Sequence, residues 1–135
     1  MKRPAWALLL AGLLGSAGVL HLARPGFFEP LVPRLLGAPR AWIYVSGVAE
    51  LVCAVALAIP VTRRRGAFAT AALFVAVFPG NVQMALAADG TKPGLASNPV
   101  IAYGRLPLQV PLVLWALAVA RAADRPGRRE VTAPR

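Results

Sequence analysis

A carboxylate, Glu50, stands at the midpoint of a twenty-residue apolar run, Ala41–Pro60. About twenty apolar residues in a helix match the hydrocarbon thickness of a bilayer. A charge at that depth costs at least about 2.5 kcal/mol on insertion scales, so it must face protein or a polar cavity and find a partner. The helical period puts Gly47, Glu50, Ala54 and Ala58 on one face, with Ser46 one turn from the carboxylate and Cys53 three residues on. Glu50 therefore points along the small-residue, packing side of its helix and away from lipid.

Three further apolar runs give the carboxylate its company. Trp6–Leu22 follows a short basic start. It could pass for a signal peptide with Gly15-Ser16-Ala17 as a weak cleavage site, but its length favours a first membrane helix. Ala11, Gly15, Gly18 and Leu22 share a face there, with His21 beside it. The run Gly66–Ala87 makes a third helix, with Ala69, Ala72, Ala76, Gly80 and Gln83 as its expected packing face. Pro79-Gly80-Asn81 should interrupt it and release a carbonyl one turn back that other polar groups must satisfy. Asn98-Pro99 reads as an N-cap and first residue of a fourth helix reaching Ala123, with Arg105, Gln109, Val113, Ala116 and Ala120 on one face. The fold class expected is all-α, a four-transmembrane-helix bundle over residues 1–123, with helices near 6–22, 41–60, 66–87 and 99–123. Residues 124–135 should form a disordered basic tail.

Composition supports a single membrane domain. The chain is 135 residues, 58% apolar, with a mean hydropathy of +0.62, above the roughly 45–50% apolar content of soluble domains. Its net charge of +10 is spread between the apolar runs and not gathered on a basic face, so no nucleic-acid partner is expected. Ten Lys and Arg fall at the N-terminus, the Arg63–Arg65 turn and the tail, against five in the other loops and at Arg105. By the positive-inside rule both termini are cytoplasmic in a multi-pass protein of the cell's inner (plasma) membrane. One cysteine, Cys53, excludes an intrachain disulfide and a C-x-x-C redox motif. It reads as a small packing hydrophobe. One histidine excludes a bis-histidine haem or histidine-rich metal site in one chain, so no metal is expected.

The first loop, Ala23–Arg40, carries Pro25, Pro30, Pro33 and Pro39 and is too apolar to float free. It should lie in the membrane interface as one or two short helical turns, either as a plain cover over the bundle or as a lid over a binding pocket. This topology collects His21, Glu50, Asn81, Gln83, Arg105 and Gln109 in the outer half. From the rise per residue we expect a Glu50–Arg105 ion pair, joined by Gln109 or Asn81, with His21 as the next candidate partner. Such a pair is either a clasp that fixes helix register or part of a pocket for a polar head group, such as a quinone carbonyl, or a proton relay.

Gly18-Val-Leu-His21 with Arg24-Pro25 and Phe28, Val45-Ser-Gly-Val-Ala-Glu50, Val77-Phe-Pro-Gly-Asn81 and Arg105-Leu-Pro-Leu-Gln109 occur in an order and spacing that resemble the DoxX-like small membrane proteins. The resemblance reaches to about Arg121. It implies a four-helix membrane bundle. It also implies that the chain is a quinone-linked, redox-associated subunit beside an oxidoreductase partner or a member of a thiol-redox or maturation system, and the missing paired cysteines weigh against the latter. The alternative is a non-enzymatic small-solute carrier, an assembly partner or a homo-oligomer. No cofactor is expected in the chain itself, with quinone as the expected ligand.

Overall fold

The computed structural model describes residues 3–91 and 97–123. Its long helices are α1 (Arg3–Ala23), α3 (Pro39–Ala58), α4 (Arg63–Ala87) and α5 (Pro99–Ala123); a single helical turn, α2 (Pro25–Phe28), lies in the first loop. All four long helices are long and apolar enough to cross a membrane, and no strand occurs among the described residues. The chain is an all-α, four-helix, multi-pass membrane protein. The expected tail at residues 124–135 and the loop lysine at position 92 lie outside the described residues.

The helix order α1–α3–α4–α5 follows the chain, and α1 pairs mainly with α3 while α4 pairs mainly with α5. Two ends of the bundle can be distinguished. At the hairpin end, Ile59–Thr62 joins α3 to α4. The main core lies there and is built from apolar side chains: Leu10 and Leu14 of α1, Leu57 of α3, Ala67 and Phe74 of α4, and Ala116 and Val119 of α5. The hairpin is tight because Gly66 rests on α3; a Cβ there would fall 2.7 Å from the Ala56 Cβ. Arg63 donates from Nε to the Leu57 carbonyl (2.8 Å) and from its terminal nitrogen to the Ala58 carbonyl (3.0 Å), while the Thr62 hydroxyl donates to the Ala56 carbonyl (2.9 Å). These bonds satisfy the last carbonyls of α3 and set a cation at its negative dipole end. At the loop end a smaller cluster joins Met84 and Ala85 to Ala102.

The starts of α1, α3 and α4 move outward from expectation, while α3 ends at Ala58, two residues short of it. Helix α3 begins at Pro39, where the fixed proline φ suits a first helical residue. Helix α4 begins at Arg63 and not at Gly66, because the arginine run joins the helix as Arg63 reaches back to α3. The first loop holds α2 and two 3-10 turns, Glu29–Leu31 and Arg34–Leu36. The expected start of α5 holds: Asn98 Oδ1 accepts from the Val100 amide at 2.9 Å.

The expected packing face of α4 is corrected. Ala69, Ala72 and Ala76 are exposed, and the buried stripe runs through Gly66, Ala67, Thr70, Ala71 and Phe74. Alanine occurs all around this helix, so periodicity could not choose a side. Docking of Gly66 on Ala56 sets the rotation and carries Thr70, one turn on, inward. Thr70 is fully buried and returns its hydroxyl to the Gly66 carbonyl at 2.8 Å. Ala58, expected on the packing face of α3, is exposed as well.

Candidate functional site

The site is built where α1 crosses α3. Gly18 and Gly47 meet at the crossing: a Cβ on Gly18 would sit 2.8 Å from the Gly47 carbonyl oxygen, and one on Gly47 would sit 2.9 Å from the His21 Cβ. Real Cβ atoms do not come that close, so both positions admit glycine only and the two backbones nearly touch. His21 sits against Gly47, and Glu50 lies nearly one turn further along α3, so the crossing brings the two side chains together.

His21 Nδ1 and Glu50 Oε2 are 2.7 Å apart, with Glu50 buried and His21 half-buried. From the other side the Phe28 ring of α2 lies over the imidazole, centroids 4.1 Å apart, and Phe27 packs edge-on against Phe28 at 5.2 Å. With Nδ1 engaged by the carboxylate, Nε2 has no hydrogen-bond partner among the described residues. A neutral imidazole that donates Nδ1–H to Glu50 presents Nε2 as an acceptor; an imidazolium paired with the carboxylate presents Nε2–H as a donor.

The expected Glu50–Arg105 pair is not formed. Arg105 is exposed, and its guanidinium points to the Met84 sulfur at 3.8 Å. The expectation compared the depths of Glu50 and Arg105 and did not weigh how far α1 reaches along α3. Helix α1 crosses α3 at Gly47, about 12 Å along α3 from Pro39 at 1.5 Å per residue. His21 is therefore deep, near the level of Glu50, and reaches it first. Ser46 and Cys53, which flank Glu50 in the sequence, make no hydrogen bond to the pair; Cys53 sits beside Thr70 in the apolar core, close enough to Glu50 to feel its charge.

Asn81 and Gln109 form a second polar group, between α4 and α5. Asn81 Nδ2 donates to Gln109 Oε1 at 2.9 Å, and Gln109 Nε2 donates to the Phe74 carbonyl. Pro79 has no amide hydrogen, which leaves the Val75 carbonyl without its helical donor and loosens the turn that begins at Phe74. Helix α4 runs on through the proline. Gln109, buried on α5, is the neighbouring group that supplies a donor to the loosened turn. Gln83 joins neither polar group and lines a separate cavity.

That cavity, about 720 Å³, lies between the first loop and the loop end of α4, bordered by Phe27, Glu29, Val32, Arg34, Gln83 and Met84. Neither His21 nor Glu50 lines it. The loop is thus two-sided, with Phe28 turned to the dyad and Leu31, Val32 and Pro33 turned to the cavity. An ion pair from Arg40 to Glu29, at 2.7 Å, ties the loop to the start of α3. Sequence reasoning gave little weight to Phe28. A ring placed seven residues after His21 in a proline-bound turn was the available signal.

No cluster of three or more metal-ligating side chains occurs among the described residues. Residues 10–120 match a family model described as "Domain of unknown function (DUF8561)". No match is found among curated proteins or among solved structures.

Proposed function

We propose that this chain, which belongs to the DUF8561 family, binds the polar head of a quinone-like amphiphile at the His21–Glu50 dyad and serves as the membrane subunit of a redox system. The observation that carries the reading is the 2.7 Å contact between His21 Nδ1 and Glu50 Oε2, which leaves Nε2 without a partner among the described residues, in an imidazole set against the Phe28 ring. A quinone carbonyl needs a donor and a quinol hydroxyl needs an acceptor. The dyad offers either, according to whether it holds one proton or two. Glu50 fixes the ring, and Phe28 supplies an aromatic face against which a flat head group stacks. The resemblance to DoxX-like proteins supports the same assignment, with electrons supplied by an oxidoreductase partner. We place both termini in the cytoplasm of a plasma-membrane protein on the ten-to-five excess of Lys and Arg.

One observation favours the alternative, a non-enzymatic assembly partner. The Ala69–Ala72–Ala76 stripe of α4 faces outward, where small residues let another membrane helix come close. Titration with a short-chain benzoquinone, in nanodiscs, separates the readings. Saturable quenching of tryptophan fluorescence in the native chain, lost in His21→Ala, supports quinone binding. Equal quenching in both proteins rules out the dyad as its site.

A further inference from the structure

Neither the His21–Glu50 dyad nor the Asn81–Gln109 pair borders the cavity of about 720 Å³ between the first loop and α4. That volume falls within the roughly 300–1,000 Å³ of small-molecule sites, whose walls are mostly apolar with a few polar groups. Here Phe27, Leu31 and Val32 come from the loop side, and Met84 and Ala87 from α4. The loop is fixed over α4 at both sides of the cavity. The Leu31 carbonyl rests on Gly80, where a Cβ would lie 3.4 Å from it, and the Arg40–Glu29 ion pair ties the loop to α3.

The polar side chains that border the cavity fall into two sets. Glu29 is paired with Arg40, and Asp89 accepts from the amide and the hydroxyl of Thr91. Arg34, Gln83 and Ser97 make no side-chain hydrogen bond or ion pair among the described residues. Gln83 is half-buried and about 6 Å inside the end of α4, a depth at which an unmatched amide is costly. All three uncommitted groups carry N–H or O–H donors. A cation without a carboxylate, sharing an apolar cavity with a spare amide and a spare hydroxyl, suits an oxyanion on an apolar body. One negative charge suits it better than two, because the Asp89 carboxylate borders the same cavity and repels a second.

We propose that this cavity binds a single-chain carboxylate amphiphile, of the fatty-acid class. Arg34 holds the carboxylate by charge-assisted hydrogen bonds, for which its planar fork is matched. The apolar body lies between the loop and α4, against Leu31, Val32 and Met84. This site is separate from the dyad and does not rest on the quinone reading.

The test uses the full chain in phosphatidylcholine nanodiscs, which carry no net charge, with radiolabelled decanoate as the probe and empty nanodiscs subtracted. Mildly alkaline buffer keeps the carboxylate ionised. Decanoate should bind saturably. Decanol, which lacks the charge, and acetate, which lacks the chain, should each displace it at least about tenfold less well than unlabelled decanoate, the scale of one charge-assisted contact or a buried chain. Arg34→Gln should weaken binding at least about tenfold, and Arg34→Lys should keep part of it. Arg34 is exposed and its side chain bonds to no described residue, so the substitution leaves the fold intact. Ala87→Trp puts a ring into the cavity from an exposed position on α4 and should also abolish binding. Binding should persist in His21→Ala. No saturable binding to the native chain, undiminished binding in Arg34→Gln or Ala87→Trp, displacement by decanol or acetate as effective as by decanoate, or loss in His21→Ala would each overturn the proposal.

Discussion

The two helix pairs of this bundle meet the same difficulty, polar groups at membrane depth, in opposite ways. Helices α1 and α3 are brought nearly into backbone contact by Gly18 and Gly47. The closeness places an ionisable pair, His21 and Glu50, within 2.7 Å under an aromatic cover. Helices α4 and α5 are loosened by prolines, Pro79 in one and Pro107 and Pro111 in the other. There the polar side chains paired between the helices are the neutral amides of Asn81 and Gln109, and Gln109 bonds back to the backbone near the proline. In the first pair the backbone is regular and the side chains hold the unusual chemistry. In the second the side chains mend the backbone. Polar residues with equal claim to a site in the sequence thus divide into an ionisable pair and a neutral one.

The largest expected effect breaks the first pair at its crossing. Gly47→Leu forces a side chain where even a Cβ lies 2.9 Å from His21. Overpacking in a close-packed site costs about 1–3 kcal/mol, and more when the obstruction is backbone. The variant should melt well below the native chain in detergent and lose any ligand bound at His21. An unchanged melting curve would mean that the crossing is looser than described.

A smaller effect tests the second pair. Interhelical hydrogen bonds in membrane proteins average about 0.6 kcal/mol, but Gln109→Leu also strands the Asn81 amide and takes a donor from the proline-loosened turn, raising the cost to about 1–3 kcal/mol. Stability should fall while the binding proposed at the dyad, read by benzoquinone quenching, holds, since Gln109 is outside the dyad. A loss of affinity without loss of stability would merge the two polar groups into one site. The smallest effect is Cys53→Ala. Its thiol packs among Ala54, Leu57 and Ala67 in the apolar core, and removing one heavy atom should cost below about 1 kcal/mol. Any associated activity should be unchanged, and a clear loss in that variant would revive thiol chemistry.

Much of this arrangement was legible in the sequence, and the limits of that legibility have physical causes. Four apolar runs fixed the four spans, since each run alone meets the length a bilayer demands. Asn98-Pro99 fixed a helix start because its chemistry is local. The face of α4 was misread because its alanines occur on both sides of the helix, and only Gly66 against Ala56, a contact between helices, selects one. Glu50 was rightly marked as needing a partner, but its pairing depends on how far α1 slides along α3. Single-helix periodicity carries no such axial register. The Gly18 and Gly47 pair does set that register, but glycines on two helices reveal their match only once the helices are packed. The role of Gln109 followed the rule that a proline-broken turn needs donors nearby, while the identity of the donor did not.

The central claim is that the carboxylate in the membrane answers to His21 and not to Arg105, and two double-mutant cycles sharing Glu50→Gln test it directly. Thermal unfolding in one detergent is measured for Glu50→Gln, His21→Gln, Arg105→Gln and the two double variants. With His21 in contact at 2.7 Å, the Glu50–His21 double variant should lose less stability than the sum of its singles, by about 0.5–3 kcal/mol. The Glu50–Arg105 double variant should be additive within about 0.3–0.5 kcal/mol, as for sites that share no partner. Additivity with His21 together with coupling to Arg105 would contradict the account.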